Sequence, residues 1–270
     1  MKNTYLEYNK IINNYKIKSK EIWNIIKNQK NKEKQSSEIP KVIIQYWDKK
    51  NDVPDDVLKC METWKKHCSD NITYLLFDKK SALEFIKNNF NEKYVRAFEK
   101  CIHPALQSDY FRLCYILIKG GAYIDADDEC LDNNIEHLFK GNRLKLQAMC
   151  YDINHEHMVK AREAYSDDYH DNRIYYVNNN PLIAPKNNPI IEKALCLATD
   201  NLLNNRINDF QAIAGPGNLV NSIIWCKLTQ IAFEEMIDIT IDWDNNAISK
   251  WSLDYRKDDR NWRNFNLKMR

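Results

Sequence analysis

Ser108 to Asp127 reads SDYFRLCYILIKGGAYIDAD, and this stretch decides the fold. Phe111, Leu113, Cys114, Ile116, Leu117 and Ile118 form a strongly apolar run, with Asp109 and Arg112 three residues apart at its start. That spacing puts both charges on one face of a helix. Charges in so apolar a helix call for a partner. Gly120-Gly121 stops the helix. Ala122-Tyr123-Ile124 then reads as a short strand that delivers Asp125 and Asp127.

In a strand, residues two apart point to the same side. Asp125 and Asp127 at a strand end therefore suit a hard divalent cation such as Mn²⁺ or Mg²⁺, which prefers carboxylate oxygens. A diphosphate carries about two negative charges, like other phosphate groups near neutral pH, and leaves only when that charge is neutralised. An arginine at position 112 has the forked geometry that matches phosphate oxygens. Taken singly, an Asp-x-Asp also fits a solvated turn, and Asp109 with Arg112 also fits a surface ion pair. The combination is what points to a site.

The chain resembles the sugar-nucleotide-dependent glycosyltransferases of family 32, the group with a DXD sugar-binding region. The residues that carry the resemblance are Ser108, Asp109, Arg112, Gly120, Gly121, Tyr123, Asp125 and Asp127. Ile39 to Trp47, IPKVIIQYW, is similar to the family's opening strand, although Ile44 stands where the family usually carries His before Gln45. Gly215-Pro216-Gly217 is similar to its later Gly-Pro turn, and Asn261-Trp262 to its C-terminal closing segment. The resemblance covers roughly residues 39–265.

It implies a GT-A-like α/β fold, a Rossmann-type nucleotide-sugar-binding sheet flanked by helices. It also implies a retaining hexosyl transfer from a UDP-sugar to a glycan or lipid-linked glycan acceptor of a bacterial surface polysaccharide. Asp125, Asp127 and Asn261 would hold Mn²⁺ or Mg²⁺. Gln45, Trp47, Asp109, Arg112, Tyr123, Gly215 and Trp262 would contact the donor, with Asp109, Arg112 and Asp127 supporting catalysis. Trp47 would stack on the base, or else plug the sheet edge. No residue is an evident nucleophile, and same-face attack with the leaving phosphate as base needs none. Two other uses of these residues stay open: a phosphohydrolase with Asp125 as nucleophile, and a host-directed transferase or non-catalytic glycan-binding module. The phosphohydrolase pattern normally lies near the N-terminus and continues with Thr or Val, whereas Asp128 follows here.

Working outward, strand and helix alternate from Pro40. Val42–Trp47 and Ile72–Phe77 read as strands, and 54–67, 81–90, 92–101 and 104–119 as helices. The alternation predicts a doubly wound sheet with ligands at the carboxyl ends of its strands. Beyond it, 144–151 and 173–177 read as strands, and 189–204 and 218–230 as helices. Residues 152–172 are polar, with His155, His157 and His170, and read as a loop. Gly215-Pro216-Gly217 reads as a turn.

The 270 residues suffice for one full core, divided here into a basic helical extension, 1–38, and the main domain, 39–270. The extension holds nine Lys and four Glu, net +5, which leaves −3 for the rest of a chain of net +2. A main domain of that charge argues against nucleic acid as partner. Ile11, Ile12, Tyr15, Ile22, Trp23 and Ile26 follow helical spacing. Such a face can lie on an anionic membrane, on the domain or on a second subunit; residues 28–38 read as a linker. The eight cysteines show neither zinc spacing nor a Cys-x-x-Cys pair, and no signal peptide is visible. The expected location is cytoplasmic, including the cytoplasmic face of a membrane.

Overall fold

The computed structural model describes residues 2–29, 39–68, 71–205, 209–230 and 232–268. Most of the expected linker therefore lies outside the described residues. The chain opens with two helices, α1 (Lys2–Ile12) and α2 (Tyr15–Lys27). The Asn14 side chain accepts the backbone N–H groups of Lys16 and Ile17 and so starts the second. Of the three settings open to this basic pair, the structure shows packing on the domain. Tyr8, Ile11, Ile22, Ile25 and Ile26 join the main hydrophobic core, and Ser19 Oγ accepts the Tyr175 N–H at 2.8 Å.

The alternating part follows: β1 (Val42–Tyr46), α3 (Asp55–Lys65), β2 (Thr73–Phe77), α4 (Lys79–Asn89), α5 (Glu92–Glu99), α6 (Pro104–Lys119) and β3 (Gly121–Tyr123). β1 pairs in parallel with β2, from Val42 opposite Thr73 to Tyr46 opposite Phe77, and in parallel with β3 on its other side. The helices pack on this sheet through rings: Phe111 on α6 lies 4.7 Å from Phe77 and 5.9 Å from Phe85 between centroids. α6 has a strong start. His103 accepts the Ala105 N–H through Nδ1, and Pro104 takes the first helical position, where its missing N–H costs nothing.

The end of α6 depends on two glycines. Gly120 and Gly121 have φ of +69° and +116°, a region that favours glycine. A Cβ on Gly120 would lie 2.8 Å from Lys186 N, and one on Gly121 2.9 Å from Val42 O. The pair lets the chain turn at once from helix to strand while pressed against β1, which fixes where the following aspartates emerge.

The second half departs from simple alternation. It comprises β4 (Asp128–Cys130), β5 (Leu144–Asp152), β6 (His157–Val159), α7 (Ala161–Ala164), β7 (Arg173–Val177), β8 (Leu182–Ala184), α8 (Pro189–Asn204), α9 (Phe210–Ile213), α10 (Pro216–Thr229), β9 (Ile237–Thr240), β10 (Ala247–Ser249) and α11 (Trp262–Lys268). The sheet order is β2-β1-β3-β8-β5-β6, with β7 and β9 also on β5 and with β10 pairing β4 apart. β8 runs antiparallel to β3, and β9 parallel to β5. The segment 152–172, expected to be loop, contains β6 and α7. Gly215-Pro216-Gly217, expected to be a turn, instead starts α10, because Pro216 suits its first position. All eight cysteines are free, six of them buried as small apolar side chains. Among the described residues, no helix is long and apolar enough to cross a membrane.

Candidate active site

The loop after β3 carries Asp125, Asp127 and Asp128. Arg112, on the preceding turns of α6, is only 3% exposed and reaches across to it. Its Nη2 donates to Asp125 Oδ1 at 2.8 Å and to Ser108 Oγ at 2.9 Å, and lies 3.0 Å from Asp109 Oδ1. Its Nη1 donates to the Asn179 carbonyl at 2.8 Å. Its face covers the Tyr123 ring, 4.2 Å from the centroid. Burial opposes the guanidinium charge, but Asp125, Tyr123 and Asp109 outweigh it and raise its pKa, so the arginine stays protonated.

The loop between β7 and β8 supplies two staples. Asn179 Nδ2 donates to Asp109 Oδ1 at 2.8 Å. Asn180 accepts the Asp125 N–H at 2.9 Å and donates to Asp128 Oδ2 at 2.7 Å. Asp128 is 1% exposed and also accepts Ser249 Oγ at 2.5 Å from the neighbouring β10. Trp64, on α3, donates to its carbonyl at 2.9 Å. Burial raises the Asp128 carboxyl above the usual range, and the charges of Asp127 and Asp125 push it further. Burial raises Asp125 too, against Arg112, and Asp109 likewise against Arg112 and Asn179.

Asp127 is held differently. Its Oδ2 accepts Tyr255 Oη at 2.5 Å and a short contact from Arg256 Nη2. Both donors lie on the C-terminal segment, in the turn Asp254–Lys257. The Tyr255 ring in turn meets Trp47 edge to face at 5.3 Å. A cavity of about 620 Å³ is lined by residues 48–52, which follow Trp47 in sequence, and by Asp78, Lys79, Lys80 and Leu83 at the carboxyl ends of β1 and β2. Strand ends of this kind are where parallel α/β sheets bind ligands.

The structure thus brings together Asp109, Arg112, Asp125, Asp127 and, through Tyr255, Trp47. Gly215 belongs with them: a Cβ there would lie 3.2 Å from Asp109 Oδ2. Four expected contacts fall elsewhere. Gln45 is fully buried, donating to the Asp125 carbonyl at 3.1 Å and accepting Tyr74 Oη at 2.6 Å, so it props the loop from behind. Tyr123 is also fully buried, its hydroxyl 2.6 Å from Ser108 Oγ. The amide of Asn261 is spent on its own segment, donating to the Arg256 carbonyl at 2.9 Å and accepting the Arg263 N–H at 3.2 Å, rather than facing the aspartates. Trp262 packs on the main core, with Arg263 over its ring. Arg112, expected to fork onto phosphate, holds protein acceptors instead. Asn179, Asn180, Asp128, Tyr255 and Arg256 escape the sequence reading. An asparagine run before Pro181 and a Tyr-Arg pair in a polar tail were the available signals.

The carboxylates fit a divalent cation of the Mg²⁺ or Mn²⁺ kind. Among the described residues, no group of three or more His, Cys, Asp or Glu forms a ready metal cage. Such ions do not require one, since one or two carboxylates suffice when substrate phosphates and water complete the shell. Burial, and after it the charges of Asp127 and Asp125, raise the Asp128 carboxyl, and a cation held by these carboxylates would relieve the second of these causes.

Residues 54–145 match the family described as "Glycosyltransferase sugar-binding region containing DXD motif". An uncharacterized glycosyltransferase of Acanthamoeba polyphaga mimivirus is 29% identical over 96 residues, 35% of this chain and 38% of that protein. The chain therefore matches well under half the length of that relative. The solved structure of the PaToxG glycosyltransferase superposes over 98% of this chain and 96% of its own, with a TM-score of 0.50 and 18% identity, which speaks for the fold alone. The fold is mixed α/β of the GT-A type. All three similarities are to glycosyltransferases, and the chain has the fold and the motif region of that class. DXD glycosyltransferases generally use a divalent metal.

Proposed function

We propose that this chain moves a hexose from a nucleoside diphosphate sugar, with UDP the expected nucleotide, to a glycan or lipid-linked glycan acceptor, retaining the anomeric configuration and serving surface polysaccharide synthesis. The observation that supports it best is the line from Trp47 through Tyr255 to Asp127, which sets an aromatic face and a paired carboxylate side by side at strand ends. Retention, the UDP nucleotide and the acceptor class follow from the family resemblance, and the cytoplasmic setting belongs to the same proposal.

Each residue then has a task. Trp47, half-buried and next in sequence to the cavity-lining residues 48–52, would offer its ring to the base. Asp125 and Asp127 would hold the cation, whose charge supports departure of the diphosphate. Asp109, with Gly215 leaving room beside it, would face the sugar hydroxyls. Arg112 orients Asp109 and Asp125 without itself touching the donor.

Calorimetry with nucleoside diphosphates in Mn²⁺, and hydrolysis of a panel of nucleotide sugars, test this reading. UDP binding and slow UDP-sugar hydrolysis are expected. Trp47→Ala is expected to weaken UDP by about tenfold, the low end of base–aromatic stacking at ~1–3 kcal/mol. Absence of binding by any nucleoside diphosphate together with absence of turnover would overturn it.

A further inference from the structure

A guanidinium suits the donor's diphosphate beside a metal ion, but Arg112 is already committed in this arrangement. All three of its guanidinium nitrogens already donate within the protein, including Nε to the Ser108 carbonyl at 3.5 Å, and it is almost fully buried. Releasing it would strip a guanidinium that is only 4% exposed of Asp109 and Asp125 together, which is unfavourable.

A second guanidinium stands at the other aspartate. Arg256 contacts Asp127 Oδ2 through Nη2 and donates from Nε to the Lys250 carbonyl at 3.0 Å. Its plane lies over the Trp251 ring, 4.3 Å from the centroid, and Trp251 is 62% exposed. Arg263 covers the same ring at 4.8 Å and is itself exposed. Among the described residues, Arg263 has no ion pair with a carboxylate. Two arginines therefore crowd one exposed indole, and of the two Arg256 is the one paired to a carboxylate, Asp127.

We infer that Arg256 is an exchangeable counterion of Asp127: it yields this carboxylate to a divalent cation and turns, together with Arg263, to the diphosphate oxygens of the nucleotide. The inference rests on the nucleotide-sugar reading above. The charges support it in both states. Without ligand, Arg112 balances Asp125 and Arg256 balances Asp127. With ligand, the cation takes over the carboxylates, and the freed guanidinium meets the diphosphate. The chemistry also fits, because a guanidinium fork matches phosphate oxygens as well as it matches a carboxylate. Trp251 gives the arginine a flat surface to slide on while it changes partner.

The exchange makes two affinities move in opposite directions. Mn²⁺ binding without nucleotide is followed by the loss of free-ion paramagnetic resonance signal. UDP binding is followed by calorimetry at saturating Mn²⁺. Arg256→Gln should tighten Mn²⁺ by about fivefold and weaken UDP by about tenfold, within the usual range of site coupling. Arg263→Ala should weaken UDP by a smaller factor and leave Mn²⁺ unchanged. A merely structural Arg256 would weaken both ligands in the Gln variant, and that result, or no change in either, overturns the inference. The wild-type chain gives an independent check. Hydrogen exchange in residues 250–268 should rise with Mn²⁺ alone and fall when UDP is added; unchanged exchange with Mn²⁺ overturns the inference whatever the variants do. Wild-type protein that binds Mn²⁺ but no nucleoside diphosphate overturns the functional reading, and with it the second half of the exchange, while the Mn²⁺ measurements still decide the first half.

Discussion

Asp125 and Asp127 are two residues apart, yet the fold treats them in opposite ways. Asp125 is held by the interior: Arg112 from α6, the Asn180 amide and, behind its carbonyl, Gln45. Asp127 is held by Tyr255 and Arg256 from the C-terminal segment. One half of the Asp-x-Asp is tied to α6 and to the loop before β8, and the other, the more buried side chain at 12% exposed against 33%, is closed by a strap, the C-terminal segment. The difference teaches that a symmetric-looking motif can combine a fixed ligand with an adjustable one. The fixed half sets geometry, and the adjustable half can respond to what binds.

Breaking the fixed half should have the largest effect. Arg112→Ala leaves Asp109 and Asp125 without their cation in a buried cluster, and a loss of about 3–5 kcal/mol in folding stability is expected. Arg112→Lys should recover little of it, because one ammonium cannot reach the Asn179 carbonyl, Ser108 Oγ and two carboxylates together. Urea unfolding of the three proteins measures this. A stability of Arg112→Ala within about 1 kcal/mol of wild type, the range of an exposed pair, would make Arg112 a surface contact and erase the contrast.

The aspartates themselves give the next largest effect and a direct comparison. Asp125→Ala and Asp127→Ala should each lower transfer by at least about 10²-fold, the size of losing one main electrostatic contact. Their local consequences should differ. Asp127→Ala removes the acceptor for both Tyr255 and Arg256, so hydrogen exchange should rise across 254–268. Asp125→Ala should leave that segment as protected as in wild type. Equal loosening by both variants would mean that the strap senses the whole loop rather than Asp127.

Much of the fixed half is legible in the sequence. The apolar period of α6, the proline at its start and the two glycines at its end are local signals, and they place Asp109 and Arg112 on α6 and Asp125 and Asp127 after β3. β1, β2, α3 and α8 are legible for the same reason. The adjustable half is not, because its contacts are not local. Arg256 meets Asp127 across 129 residues, and Tyr255 meets it across 128. Nothing in the tail's polar composition distinguishes an arginine that pairs with the site from one in solvent. Arg112 shows the converse limit. Its identity and helix face are evident from sequence, but two of the acceptors that consume it come from loops, the Asn179 carbonyl between β7 and β8 and Asp125 after β3. β6 and α7 are not legible, because elements of three and four residues carry too little periodicity to read.

The smallest effect concerns the junction between the two halves. His103 starts α6, accepting the Ala105 N–H at Nδ1, while its Nε2 donates to the Asp259 carbonyl at 2.9 Å and its ring lies 4.9 Å from Phe265. It thus ties the C-terminal strap to the helix that carries Arg112. Both hydrogen bonds are satisfied by the neutral ring, and burial lowers its pKa below the ordinary value. The sign follows directly. A base whose folded pKa is depressed binds its proton more readily in the unfolded chain, so its contribution to stability is complete above the unfolded value of about 6.5 and is lost as pH falls through the folded value. His103→Asn keeps an acceptor at the helix start and removes the titration. The variant is expected to lose less stability than wild type between about pH 6.5 and mildly acidic pH, with the cap itself worth about 1 kcal/mol. Parallel pH profiles of wild type and His103→Asn in thermal unfolding would show that this histidine does not link strap and helix through its protonation, and the two halves of the site would then be joined only at Asp127.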